Sequence, residues 1–258
     1  VASSQGSVAM GGDSLADNTF ATAVGTSSDA GGISSTALGF DTNASGDQAT
    51  ASGAFASAGA YAATAVGAQS SASNIDASAF GTDAIASALG STALGTNASA
   101  AGDFSVASGG FAIVTATGDN GTAIGTGSYV NAADAPAIGS YSDATGIASF
   151  AGGTNSNASG ISATALGDET DATGDFSSAV GAYAQATNNS ASAFGNNADA
   201  SGVSSMAFGT NSVATATNST AIGLSTLAQG TSSVAIGPLA NTTGAATDGI
   251  AIGTDSQA

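Results

Sequence analysis

Lysine, arginine, histidine, cysteine and tryptophan are all absent from this sequence, and its 258 residues include two prolines. Each absence closes a class of chemistry. Without histidine or cysteine there is no Ser–His–Asp triad and no Cys₂His₂ zinc site. Without lysine there is no Schiff-base amine and no Walker lysine. With no cation at all, nucleic-acid binding by phosphate neutralisation is excluded. Carboxylates alone remain, seventeen Asp and the single Glu169, for a net charge of −18. The lack of cysteine fits an exported protein that avoids disulfide errors, although cytosolic proteins can lack it too. No apolar run reaches the ~18 residues of a membrane span, and no charged-then-apolar leader opens the chain, so targeting and anchoring parts are expected elsewhere.

Aromatics make up 5% of residues. Small and polar residues dominate, and charge has one sign. Such compositions often fail to bury enough apolar surface to offset chain entropy. Only a pattern can overturn that expectation, and one is present.

The phrase "SSVAIG" (232–237) has relatives throughout: "STAIG" 219–223, "ASAFG" 191–195, "SSAVG" 177–181, "STALG" 35–39 and "SVAMG" 7–11. Taking its last glycine as a mark gives eighteen marks, running from Gly11, Gly25 and Gly39 through Gly167 to Gly223, Gly237 and Gly253. Every step is 14 residues except 109→125 and 237→253, which are 16. Two residues before each mark stands an alanine, among them Ala9, Ala23, Ala37, Ala165, Ala221 and Ala235. Four before it the residue is Ser, Ala or Gly. One before it the residue is bulky in fifteen cases: Met10, Val24, Leu38, Val66, Phe80, Leu94, Ile124, Ile138, Leu166, Val180, Phe194, Phe208, Ile222, Ile236 and Ile252. Ser52, Ser108 and Gly152 are the exceptions. Small and large alternate with period two, which specifies a strand.

The second half of each unit is similar. Three residues after the mark stands Ser, Thr or Ala, and five after it usually alanine, as at Ala30, Ala44 and Ala172. Seven after the mark Gly or Asn recurs (Gly32, Gly46, Gly102, Gly146, Asn188), read as turn residues that tolerate positive φ. Each coil is therefore strand, turn, strand, turn. The chain reads as one all-β solenoid over 1–258, of about eighteen coils with two short strands each, and two longer coils at 110–125 and 238–253. At about 4.8 Å per stacked strand, such a rod is about 85 Å long. The alanine faces are expected to meet so closely that a Leu at Ala165 or Ala221 would cost ~1–3 kcal/mol.

The bulky column then lies on the outside. Soluble monomers rarely expose apolar patches beyond a few hundred Å². At about 1.5–3 kcal/mol per buried side chain, fifteen of them contribute on the order of 30 kcal/mol per chain. Identical chains around an axis are the simplest cover.

At this point "NSTAIG" 218–223 and "SSVAIG" 232–237, repeated at 14 over residues 7–253, resemble the YadA-like head of trimeric autotransporter adhesins. The resemblance implies a left-handed parallel β-roll, a homotrimer whose Val and Ile column faces the three-fold axis, and display at the cell surface from a Gram-negative outer membrane. It implies a non-enzymatic virulence-type adhesin without cofactors. Its partners would be itself and host extracellular matrix such as collagen, other cells or abiotic surfaces, and it would touch membrane only through an anchor outside this chain. Two departures stand out: nothing matches the family's basic neck, and a trimer would carry 3 × (−18) = −54 charges. Salt or divalent cations are expected to stabilise it.

Alternative readings are a spacer within a longer fibre, or a phage or secreted fibre. The two 16-residue coils, which hold Gly121 and Gly249 four before the mark, read as tolerated surface insertions more readily than as ligand loops. The acidic run "GDETDATGD" 167–175, with Asp168, Glu169, Asp171 and Asp175, is a weak Ca²⁺ candidate and reads better as a solvated turn. Threonines three before the mark (Thr22, Thr36, Thr50, Thr64, Thr92, Thr164, Thr220) suggest an ice-binding ladder, but they share a face with the bulky column and fit an interface better.

Overall fold

The computed structural model describes residues 1–258 and contains thirty-five short strands and no helix. They form a parallel β-solenoid of eighteen coils in two compact units, Val1–Ala133 and Asp134–Ala258. Each coil has a three-residue strand ending just before the mark, such as Thr22–Val24, and a two-residue strand such as Asp29–Ala30. Strands of one kind stack on their own kind. Thr22, Ala23 and Val24 pair with Thr36, Ala37 and Leu38, a register of one repeat. Ser71 and Ala72 pair in the same way with Ile85 and Ala86.

The core between the two sheets is built from four small residues per coil. Around Gly25 they are Ala21, Ala23, Ser28 and Ala30; around Gly167 they are Ala163, Ala165, Thr170 and Ala172, all fully buried. Ala37, Ala221 and Ala235 are buried likewise, whereas Ala9, in the first coil, is half-buried. Most buried hydroxyls are compatible with this core because they bond carbonyls at the turns, Ser149 and Ser177 being exceptions without a partner. Ser28 Oγ donates to the Gly25 carbonyl at 2.9 Å, and Thr170 Oγ1 donates to the Gly181 carbonyl of the next coil at 2.7 Å.

The mark glycines all have φ between +118° and +142°, a region closed to side chains. A Cβ on Gly25 would also lie 2.0 Å from the Gly39 carbonyl oxygen. The glycines seven after the mark have a different cause from the one the sequence suggested. Gly32 and Gly46 do not adopt positive φ; a Cβ there would lie 1.9 Å from the carbonyl oxygen of the coil above. Close approach of backbones selects glycine at these positions. The left-handed residues are instead the second and the ninth after the mark, or the eleventh in long coils. There thirty-three non-glycine residues take φ between 50° and 62°.

The 16-residue coils keep both ladders intact. Val106, Ala107 and Ser108 pair with Thr122, Ala123 and Ile124, and Ile113 and Val114 pair with Tyr129 and Val130, so the two extra residues fall in the turn between them. Val114 and Val130 stand where most coils have alanine, and both are fully buried. Their methyl groups occupy the room left by Gly121, whose Cβ would lie 2.8 Å from Val130 Cγ1 and 3.1 Å from Val114 Cγ1. The turn is fastened from outside: Thr115 Oγ1 donates to Asn131 Oδ1 at 2.7 Å and Thr117 Oγ1 to the Asn131 carbonyl at 2.8 Å. In the second long coil Thr242 takes the same interior place and bonds Ser233 Oγ at 2.8 Å.

Candidate interaction surface

The surface carries no pocket, so the functional candidates are its faces and edges. In the three-residue strand the alanine points inward, and the residues on either side point out. The bulky column is therefore external in both units. Met10, Leu38, Phe80, Leu94, Ile124, Ile138, Phe194, Ile222 and Ile252 are exposed, and Val24, Val66, Leu166, Val180, Phe208 and Ile236 are half-buried. Each is covered partly by its neighbours in the column, as Phe194 stacks on Phe208 with ring centroids 4.8 Å apart. The apolar surface left over is accordingly smaller than full burial of fifteen side chains supposes. At 40% exposure, Ile222 has about 0.6–1.2 kcal/mol still to gain by being covered.

The outward position three before the mark holds Thr22, Thr36, Thr64, Thr164 and Thr220, all half-buried beside the bulky column. One gap in the column is closed partly from this position. A Cβ on Gly152 would lie 2.7 Å from Leu166 Cδ2 and 3.3 Å from Phe150 Cζ, so Leu166 from the column and the Phe150 ring together cover the place where a bulky residue would stand.

The residues of the acidic run do not converge. Asp168 and Glu169 are in the turn after the mark, and Asp171 is on the two-residue strand, where its Oδ1 accepts from Asn157 Nδ2 at 3.2 Å. Asp175 is in the opposite turn, where its Oδ1 accepts from the Ile161 amide at 2.9 Å. No group of three acidic residues is placed to hold a metal ion. Asp47 and Asp103 repeat this cap on the Ile33 and Leu89 amides, at 2.8 and 3.1 Å. These carboxylates satisfy amides that the coil leaves without a backbone partner. On the two-residue strands, burial raises the pKa of Asp143, and burial followed by repulsion from Asp17 raises that of Asp29.

The turns hold large apolar residues outside the columns. Phe20, Phe55, Phe104, Phe111, Phe176, Tyr141, Tyr183 and Leu239 all have left-handed backbones and exposed side chains. That conformation costs roughly 1–2 kcal/mol for a bulky L-residue. Phe20 and Phe104 lie over the turns of the coil before, at Gly6 and Gly90, and the rest of each ring is open to solvent. Phe40 meets Phe55 edge-on at 5.3 Å. Phase relative to the mark finds these residues in the sequence; hydrophobic periodicity does not, because they are scattered over two turn positions.

A family model described as "YadA head domain repeat (2 copies)" matches residues 2–28, 30–56, 86–112, 116–142, 144–170, 172–198, 200–226 and 228–256. A search among curated proteins returns no match.

Proposed function

Because the chain belongs to the YadA head family, whose members are surface-displayed adhesin heads, we propose that it is the head of a trimeric adhesin, non-enzymatic and displayed from a Gram-negative outer membrane. The observation that carries this reading is the external apolar column, repeated at the same position in almost every coil of both units. Three chains close it by turning Val24, Leu38, Leu166, Ile222, Ile236 and their column partners toward a common axis. The buried alanines hold the two sheets of each chain together, and the mark glycines let successive coils stack.

With the column at the axis, the turn after each mark and the two-residue strands face outward. They present Phe40, Phe55, Phe111, Tyr141 and Tyr183 among carboxylates and amides. Attachment to host matrix such as collagen, to other cells or to abiotic surfaces is then multivalent, weak per coil and strong in sum. The test is retention of beads coated with the chain on collagen, on cells and on plastic, with a Phe40→Ser, Phe55→Ser, Phe111→Ser variant beside it. Retention on at least one surface that falls severalfold in the variant is expected. Beads held nowhere, or held equally by the variant, would refute the assignment of adhesion to this edge.

A further inference from the structure

A closed ring of three chains has a geometric corollary. Its contacts are heterologous, so each chain meets its two neighbours through two different surfaces. The bulky column supplies one. The other must flank the column, and two edges do so: the turn that follows the mark, and the opposite turn from which the three-residue strand enters.

The two edges differ in chemistry. In the unit Val1–Ala133 the entering turn carries an exposed or half-buried apolar side chain in six of its first seven coils: Phe20, Ile33, Tyr61, Ile75, Leu89 and Phe104. Asp47 takes the remaining coil, and its carboxylate, like that of Asp103, is folded back onto an amide of the coil before. Asp76 and Asp119 also stand in these turns; Asp119 Oδ1 accepts from the Asp103 amide at 3.0 Å, which leaves Asp76 as the acid not folded back on an amide. The edge beyond the mark has three, Asp13, Asp41 and Asp83. Pressing free carboxylates against another chain of the same sign is unfavourable. The apolar row lies on the side of the coil from which the three-residue strand enters, one outward Ser or Thr away from the bulky column, as in Ile75, Ser78 and Phe80.

We propose that the entering-turn row of one copy packs on the bulky column of the next, so that the interface wraps around this edge and leaves the opposite edge outside. The inference rests on the three-chain reading above and adds to it which edge is shared.

The test uses the full chain and light scattering over a concentration series. Tyr61→Asp with Ile75→Asp should raise the concentration of half-assembly at least tenfold. Ile85→Asp with Ile113→Asp, exposed on the outer face of the other sheet, should shift it less than threefold. If Leu94→Asp dissociates the assembly and the turn pair does not, the shared edge is wrong and the three-chain reading stands. If the unaltered chain is a monomer, or Leu94→Asp has no effect, that reading fails and takes the inference with it. A second measurement does not depend on the charged variants folding. The chain has no cysteine, so Ile75→Cys with Phe80→Cys can be oxidised and run on a denaturing gel. A covalently linked trimer is expected; none, or an equal yield from Phe55→Cys with Phe80→Cys, overturns the proposal.

Discussion

Replacing Ile222 separates the two effects of burying the column at the proposed axis. Ile222 pairs in register with Phe208 and Ile236 and is 40% exposed in the single chain. Covering that remainder gains about 0.6–1.2 kcal/mol per side chain, or about 2–4 kcal/mol over three copies. Ile222→Ser forfeits this term and should weaken the trimer association constant roughly 30- to 700-fold. Ile222→Asp adds three carboxylates at the axis, each with a desolvation cost of several kcal/mol and no cation in the chain to pair with. The Asp variant should therefore be a monomer at concentrations where the Ser variant still assembles. Lowering the pH should partly restore it, because a protonated carboxyl sheds that cost. Analytical ultracentrifugation at several concentrations reads both. An Asp variant as well assembled as the unaltered chain would refute the placement of Ile222 at an axis.

Val114→Ala makes a long coil look like its neighbours, yet it should destabilise by roughly 1–3 kcal/mol in chemical denaturation, because Gly121 leaves the methyl groups a space to fill. Ala100→Val, in a coil with ordinary alanine packing, should also destabilise by about 1–3 kcal/mol, through crowding. Asp47→Ala removes the cap on the Ile33 amide and should cost about 1 kcal/mol, whereas Asp47→Asn keeps an acceptor and should cost less. Asp29 and Asp143 have pKa values raised above the ordinary 3.8 in the folded chain, so the folded state holds their protons more tightly than the unfolded one. Stability contributed by these two groups should rise as pH falls through the raised values and level off below 3.8. Asp29→Asn with Asp143→Asn should flatten that part of the pH profile, and an unchanged profile would show that other carboxylates govern it.

Most of the fold was legible in the sequence because a solenoid writes its geometry into columns. Alanine two before the mark and a bulky residue one before it can only be neighbours on opposite faces of a strand. A 14-residue step can only place each on its counterpart. The turns were less legible. Gly32 and Gly25 look equivalent as letters, but one avoids a neighbouring carbonyl and the other also needs a backbone that only glycine reaches. The left-handed Phe20 and Phe104 contradict turn preferences, so no preference could place them. The rings lie over the preceding turns at Gly6 and Gly90, where any Cβ would meet them at 2.7 and 2.9 Å. At the candidate surface the column was readable, but its partial cover by its own members was not. Nor was the filling of the Gly152 gap by Leu166 and Phe150, which depends on where two side chains turn.

Salt bears on the assembly as a whole. In the proposed trimer three chains of −18 each repel, so raising sodium chloride should strengthen association, and more so at low starting ionic strength.

The mass of the folded chain in solution tests the central claim most directly. Each chain weighs 23.6 kDa. Light scattering at moderate salt should return three times that mass from micromolar concentrations upward. A stable, folded species at 23.6 kDa, with its apolar column open to water, would contradict the account.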